Sequence, residues 1–191
     1  MKKLILASAS PRRKELLHEA GYFFEIRKSL IQETLNPNLS PKENAIALAK
    51  QKAFDVSQRN QGIILAADTL VVVQNHVLGK PKDLKEACHM LSLLSGNTQE
   101  VITGFCVFDT DTQNSVCNAV STKIIFRKLT EEEIKNYVET EKPLDKAGAY
   151  AIQEKGDAFI EKMEGSVSNV VGLPMEEVGK ILETFGILRG G

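Results

Sequence analysis

The sequence predicts an α/β protein with a mixed sheet flanked by helices. Short apolar runs typical of buried strands alternate along the chain with segments that begin at helix-capping residues. Two β-rich runs, Val101–Phe108 and Val116–Phe126, are joined by a polar turn and should pair antiparallel, which makes the sheet mixed. The 191 residues, 42% of them hydrophobic, suffice for one domain with a sizeable core.

The first elements are an apolar strand that begins at Leu4 and a helix that follows a tight turn. Ser10 is a good N-cap and Pro11 is a good first helical residue. Gly21 is a suitable place for this helix to end. The residues from Tyr22 to Ile26 then predict a second strand.

The middle of the chain alternates in the same way. Ser40 and Glu43 form a capping box around a first-turn proline, which predicts a second helix. The nearly unbroken apolar run Ile63–Val73 predicts a buried strand. Asp83 is the expected cap of a third helix.

The C-terminal third predicts two more helices and one more strand. A second capping box opens at Thr130, and its helix should extend to about Glu139. Residues 158–163 have the composition of a strand. Pro174 leads into the last helix, which should end near Gly186.

The composition argues against several classes of protein. The net charge of −1 gives no global reason for binding nucleic acid or an acidic membrane. The three cysteines, Cys88, Cys106 and Cys117, have no spacing that predicts a disulfide framework or a zinc site. With neither a signal peptide nor a membrane-spanning apolar run in the sequence, a reduced cytoplasm is the expected compartment.

Three cations stand in the first turn of the first helix, where acidic residues are normally found. Arg12, Arg13 and Lys14 follow Ser10 and its neighbouring proline. Because a helix start carries unpaired N–H groups and partial positive charge, these cations repel one another unless an anion lies among them. A phosphate is the obvious candidate. The alternative, three side chains that spread into solvent, stays open on this observation alone.

Other charged residues stand in unusual surroundings. Asp68 lies inside the apolar run Ile63–Val73, and a carboxylate there is costly unless it is paired or bound to a ligand, which favours a functional role. Lys80, between a glycine and a proline, is either a rigidly held ligand or part of an ordinary surface turn. Lys52, on the second predicted helix, either extends from the edge of the core or points into a cleft.

Two further polar residues carry weaker signals. Glu33 follows the second predicted strand and has no motif of its own. Gln153 lies among small and charged residues, and its amide can both donate to and accept from the edge of a nucleobase, although ordinary loop chemistry is the alternative. The sequence contains no P-loop, dinucleotide fingerprint or nucleophile–histidine–acid arrangement.

Taken together, these motifs resemble the Maf family of nucleoside triphosphate pyrophosphatases over nearly the whole chain. In chain order they are Ser8-Ala9-Ser10-Pro11-Arg12-Arg13, Ala67-Asp68-Thr69, Gly79-Lys80-Pro81, Leu94-Ser95-Gly96, Val101-Ile102-Thr103-Gly104, Lys142 to Tyr150, and Asn169-Val170-Val171-Gly172-Leu173-Pro174. Each motif is modest alone, and their order is specific. The chain departs from the family pattern at Gln99, where histidine is frequent, and at Ala151, where glycine is common.

The resemblance implies one Maf/ITPase-like α/β domain over residues 1–191, with an elongated mixed sheet and a substrate cleft between two lobes. It implies hydrolysis of a nucleoside triphosphate to the monophosphate and pyrophosphate, with Mg²⁺ or Mn²⁺ as the metal. Asp68 matches the family's proton acceptor, and Asp68 with Glu33 would hold the metal. The residues that match the polar lining of the cleft are Ser10, Arg12, Arg13, Glu33, Lys52 and Lys80.

The resemblance also predicts the substrate. Arg12, Thr69 and Gln153 match the trio that marks the branch preferring dTTP and UTP. The alternatives are the sister branch, which acts on N7-methylated GTP, and a non-catalytic nucleotide-binding regulator. The family resemblance also connects the chain with house-cleaning of modified nucleotides and with cell-division arrest. The expected partner is the nucleotide alone, without nucleic acid or membrane, and a homodimer is left open.

Overall fold

The structure, a computed structural model that describes residues 2–190, is a mixed α/β protein. Its elements are β1 (Leu4–Leu6), α1 (Pro11–Glu19), β2 (Glu25–Ile26), α2 (Pro41–Ser57), β3 (Ile63–Val73), β4 (His76–Leu78), α3 (Leu84–Leu94), β5 (Thr98–Asp109), β6 (Ser115–Phe126), α4 (Glu131–Glu141), β7 (Ile160–Glu164), α5 (Val167–Val171) and α6 (Met175–Thr184). Among residues 2–190, no helix combines the length and the apolar character needed to cross a bilayer.

Most predicted elements are confirmed, and the helix starts are the most accurate. Ser10, Ser40 and Thr130 each cap a helix through the side-chain oxygen, and the last two form complete capping boxes. The predicted buried strand Ile63–Val73 coincides with β3. These signals are reliable because each depends only on residues a few positions apart.

Two predicted strands have the wrong bounds, and two short elements are missed. In the 22–26 segment only Glu25–Ile26 pairs with a strand, because Tyr22 instead continues from α1, donating its N–H to the carbonyl of Leu17 at 3.1 Å. In the 158–163 segment the chain first forms a 3-10 turn, and strand pairing starts only at Ile160. The three-residue β4 and the five-residue α5 are too short to show a periodic pattern.

The sheet is mixed, as predicted. The strand order is β2-β1-β3-β5-β6-β7, with β4 paired to β3. β1 lies parallel to β2 and to β3, whereas β3–β4 and β6–β7 are antiparallel. The polar turn between β5 and β6 is closed by a hydrogen bond from the amide of Asp109 to the carbonyl of Asn114 at 2.9 Å, which makes these strands a hairpin.

The chain divides into two compact units. The first comprises the described residues up to Asp68, the segment Thr103–Val120 and the described residues from Gly172 onward. The second comprises Thr69–Ile102 and Ser121–Val171. Strands β3, β5 and β6 each contribute residues to both units.

The first unit has a sheet that is covered on both faces. Successive strand residues point to opposite faces, so the set containing Ile64 and Ala66 packs against α2, and the set containing Ile63 and Leu65 packs with side chains of α1 and α6. Helix α2 lies very close to the sheet at Gly104 in β5, where an added Cβ atom would be 2.2 Å from the carbonyl carbon of Ala45. Glycine is therefore required by close approach of two backbones.

The second unit has its own hydrophobic core. Helices α3 and α4 pack together and contribute Ala87, Leu91, Ile134 and Val138 to one buried cluster. Aromatic rings complete this core with edge-to-face contacts, for example Phe126 with Tyr150 at 4.9 Å between ring centroids.

The expectation that the cysteines form no disulfide is wrong for one pair. Cys106 and Cys117 are bonded to each other. The hairpin explains the pairing, because Cys106 lies three residues before Asp109 and Cys117 three residues after Asn114, so the two face each other on β5 and β6. Sequence spacing could not show this without the hairpin register. The remaining cysteine, Cys88, is a free thiol.

Candidate active site

A buried carboxylate is the centre of the candidate site in the first unit. Asp68 is the sixth residue of β3 and is only 5% exposed. By the alternation of the strand it lies on the same face as Ile64 and Ala66, which is the face that α2 covers. The strand therefore carries a charge into an apolar layer, where it requires a partner.

Lys52 of α2 is that partner. Its position lies on the buried face of the helix with Leu48, Ala49 and Val56, and the residue is only 8% exposed. The ammonium lies 2.7 Å from Oδ1 of Asp68 and 2.8 Å from Oε1 of Glu33. The charge of Lys52 therefore joins two carboxylates instead of reaching solvent.

Glu33 is brought to Lys52 by a loop that is tied along α2. At one end of the loop, Asp55 accepts hydrogen bonds from the amide of Leu30 at 2.9 Å and from the Ser29 hydroxyl at 3.0 Å. At the other end, the amide of Asn36 donates to the side chain of Asn44 at 2.8 Å. The Leu30 amide holds the pKa of the Asp55 carboxyl below its ordinary value, so this anchor is ionised at neutral pH.

The start of α1 contributes a half-buried arginine. Arg13 donates from Nε to the carbonyl of Gly172 at 2.7 Å and from Nη1 to the Ser8 hydroxyl at 3.2 Å. The Ser10 side chain accepts from the amide of Arg13 and so caps the helix. The guanidinium is therefore fixed on the protein by both its own bonds and the helix start.

Arg13 interacts electrostatically with the carboxylates of Asp68 and Glu33. Burial lowers the pKa of the Arg13 guanidinium from its ordinary value, while the negative charges of Asp68 and Glu33 oppose that lowering and the positive charge of Arg12 adds to it. An arginine remains protonated despite such a shift. Two cations and two carboxylates therefore balance one another in this cluster, and Arg12 adds a further positive charge nearby.

The remaining candidate residues belong to the second unit. Thr69 follows Asp68 directly in β3 and is half-buried. Lys80 is exposed, next to a buried Pro81. Gln153 is exposed in the turn that follows Ala151. Within this unit the amide of Gly148 donates to the carbonyl of Gly79 at 3.1 Å, so the segment that leads to Gln153 contacts the turn that carries Lys80.

Comparison with known proteins identifies the family. The model of the family described as Maf-like protein matches residues 3–185. The chain belongs to the Maf family. The resemblance found in the sequence motifs is thereby confirmed.

Relatives of this Maf protein are about half identical to it over nearly their full length. A dTTP/UTP pyrophosphatase of Bacillus pumilus (strain SAFR-032) is 48% identical over 188 residues, which cover 98% of each chain. A dTTP/UTP pyrophosphatase of Alkaliphilus oremlandii (strain OhILAs) is 50% identical over 184 residues, or 95% of each chain. One of Methanosarcina barkeri is 47% identical over 189 residues, covering 98% of this chain and 96% of the relative.

Solved structures support the fold of this Maf protein. A HAM1 protein from Coxiella burnetii superposes with a TM-score of 0.53 at 16% identity, covering 96% of this chain and all of that one. The Staphylococcus aureus Ham1 protein gives the same TM-score at 14% identity with the same coverage. The predicted fold class is confirmed.

The structure brings together four candidates of the first unit, namely Arg13, Glu33, Lys52 and Asp68. Ser8 was not among the predicted site residues. It is 8% exposed and accepts hydrogen bonds from both the Ser10 amide and the Arg13 side chain. Its place in the string of small residues before α1 is the sequence feature that could have indicated it. No site role was predicted for Gln99 either, which is buried and accepts from the Tyr150 hydroxyl at 3.2 Å.

Proposed function

We propose that this Maf protein hydrolyses dTTP and UTP to the monophosphate and pyrophosphate. The observation that carries the proposal is the buried Asp68, paired with Lys52 and flanked by Glu33 and Arg13. Burying a carboxylate in an apolar layer costs folding free energy even when cations pair with it. Such buried charged groups are concentrated at catalytic sites. The names of the relatives support the same reaction. We propose the cytoplasm as its compartment, where Cys106 and Cys117 would be held as thiols.

The cations supply the means of binding a triphosphate. Arg12 and Arg13 lie at the start of α1, where the helix N–H groups add partial positive charge. We assign Ser10, Arg12, Arg13, Lys52 and Lys80 to the phosphates. Since phosphoryl transfer depends mainly on positioning and charge neutralisation, loss of one of these cations should lower the rate as well as the affinity.

A divalent metal fits the donor set of the first unit. Asp68 and Glu33 both contact the ammonium of Lys52, so the two carboxylates lie near each other. Among residues 2–190, no group of three or more His, Cys, Asp or Glu side chains could hold a metal. Mg²⁺ typically takes one or two carboxylates and completes its shell with phosphate oxygens and water, so these two residues would suffice. When bound, the metal would neutralise phosphate charge and acidify water.

The chain's own residues have distinct tasks in the reaction. The cations orient the triphosphate so that water attacks the α-phosphorus and pyrophosphate leaves. Asp68 accepts the proton of the attacking water or serves as a metal ligand, and in either task it must be ionised. Lys52, 2.7 Å away, compensates the charge of this carboxylate inside the apolar layer.

Pyrophosphate release by the purified protein tests the function directly. The substrates should include dTTP, UTP, CTP, dATP and N7-methyl-GTP. We expect the largest kcat/KM for dTTP and UTP. A preference for N7-methyl-GTP would assign the chain to the sister branch, and binding without release of pyrophosphate from any nucleotide would make it a non-catalytic regulator.

Removal of divalent metal should abolish the activity. We expect no pyrophosphate release in EDTA and recovery on addition of Mg²⁺ or Mn²⁺, which prefer the oxygen ligands that carboxylates and phosphates provide. Addition of Ca²⁺ serves as the comparison, because it is larger and holds its ligands in looser geometry. Full activity in the chelator would show that the cations of the chain suffice.

Gln153→Ala should reduce discrimination between bases. The amide of Gln153 can pair with the alternating acceptor and donor edge of thymine or uracil, and cytosine presents a different edge. We expect kcat/KM for dTTP and UTP to fall by about a hundredfold, with a smaller loss for CTP, because a site built on such bonds penalises an unmatched base strongly. Lys80→Ala is the control, and it should weaken all triphosphates alike, since phosphate contacts carry no base information. An equal loss for every nucleotide in Gln153→Ala would remove its base-reading role.

A further inference from the structure

We propose that Lys146 is a positioning residue for base selection, and that its buried ammonium fixes the turn carrying Gln153 through Glu154. The proposal rests on the proposed function, in which Gln153 reads the base. Lys146 itself need not touch the nucleotide. Its effect would pass through the backbone of residues 151–156.

Gln153 depends on its backbone for its position. The residue is exposed, and it lies in a turn that the carbonyl of Ala151 closes by accepting from the amides of Glu154 and Gly156, each at 3.1 Å. Lys155, two residues after Gln153, has the left-handed φ of 59°. A non-glycine residue in this conformation is uncommon and requires support from its surroundings. The turn therefore has a defined shape that something must maintain.

Three side chains tie this turn to the rest of the second unit. The hydroxyl of Tyr137 accepts from the amide of Ala151 at 3.3 Å. The ammonium of Lys146 lies 2.7 Å from Glu154. That of Lys155 lies 2.7 Å from Glu141. The anchor at Glu154 is the one directly next to Gln153.

The anchor from Lys146 differs from the one at Lys155 in its burial. The side chain of Lys146 is 6% exposed, whereas that of Lys155 is 72% exposed. An exposed ion pair contributes little, because water screens it and two long side chains must be ordered. A buried ammonium must keep its partners, since an unpaired buried charge is costly. Lys146 therefore holds Glu154 more firmly than Lys155 holds Glu141.

The surroundings of Lys146 keep it charged. Burial lowers the pKa of the Lys146 ammonium, but its bonds to Asp145 at 2.8 Å and to Glu154 outweigh this and raise the pKa above its ordinary value. The segment that follows is fixed as well. Gly148 has a φ of 71° and lies against Val71, whose Cγ1 would be 3.1 Å from an added Cβ atom. The start of the connection from Lys146 to Gln153 is thus held in place by the ion pairs of Lys146 and by the contact at Gly148.

The test compares three single variants in the full-length protein. Lys146→Met removes the charge and keeps the length of the side chain. Glu154→Gln removes the partner's charge at a half-exposed position, where the exchange should leave the fold intact. Lys155→Met is the matched control, because it removes the charge of a lysine in the same turn whose own side chain is exposed. For each, kcat/KM is measured for dTTP and for dCTP, and thermal unfolding verifies the fold.

We expect Lys146→Met to lower kcat/KM for dTTP by about tenfold and that for dCTP by less than about twofold, because a small displacement of a positioned group is costly for the substrate that it recognises. Glu154→Gln should also lower kcat/KM for dTTP more than that for dCTP, but by a smaller factor. Lys155→Met should leave both values unchanged. In a Gln153→Ala background, Lys146→Met should cause no further loss for dTTP, since the two residues act as a unit.

Equal losses for dTTP and dCTP, or losses that add to those of Gln153→Ala, would overturn the positioning role while leaving the proposed function intact. The proposed function fails separately, if the parent releases no pyrophosphate. If Gln153→Ala alone keeps full discrimination, the base-reading role of Gln153 is wrong and the role of Lys146 is overturned with it.

Discussion

Replacing Asp68 with asparagine is expected to abolish pyrophosphate release while the protein stays folded. Asparagine has nearly the same shape, but it can neither accept the proton of water nor neutralise a metal. We expect kcat to fall by about a hundredfold to ten-thousandfold, the usual contribution of a positioned acid or base. The measurement is pyrophosphate release from dTTP, with thermal unfolding as the check on folding.

The chain offers a matched control for this variant. Asp109, also in the first unit, is 3% exposed and bonded to a lysine, Lys2, at 2.5 Å, but it closes the hairpin turn instead of facing α2. The Asp109→Asn variant should therefore release pyrophosphate from dTTP at the rate of the parent protein. If Asp68→Asn releases pyrophosphate at a rate close to that of Asp109→Asn, the chemical role given to Asp68 is wrong.

Replacing Lys52 with methionine should cost both stability and turnover. Removal of one partner of a buried ion pair leaves the other charge uncompensated, which typically costs about 3–5 kcal/mol. The nearby Arg13 offsets part of this, and Glu33 can turn toward solvent because its side chain is 53% exposed. We therefore expect a loss near the lower end of that range, measured by urea unfolding, together with nearly complete loss of pyrophosphate release.

A second substitution separates charge from packing in this experiment. The double variant Lys52→Met with Asp68→Asn should be more stable than Lys52→Met alone, because no unpaired carboxylate is left buried. Lys2→Met is the control, since Asp109 keeps its bonds from Thr112 and the Asp111 amide. A double variant less stable than Lys52→Met would show that the lost packing, and not the charge, causes the effect.

The sequence was sufficient for features that depend on neighbouring residues. The caps at Ser10 and Ser40 and the extent of β3 follow from local chemistry, and the structure confirms them. The cost of a charge in an apolar strand also singled out Asp68. Each of these inferences uses residues within about one turn or one strand of each other.

Features that depend on distant residues were not accessible in this way. Alternation along β3 puts Asp68 on the face of Ile64 and Ala66, but no local pattern tells which helix covers that face, so Lys52 could not be named as its partner. Glu33 reaches the same ammonium only because its loop is bonded to Asp55 and Asn44 along the helix.

Gly104 has a consequence for catalysis although it bears no functional group. Ala45, whose backbone lies on it, and Lys52 are seven residues apart on α2, which is about two turns, so they lie on the same side of the helix. The gap between helix and sheet at Gly104 therefore also sets how far the ammonium of Lys52 stands from Asp68. A methyl group at this position would push α2 away from the sheet. It would lengthen the 2.7 Å contact between Lys52 and Asp68, although β5 contains neither of these residues.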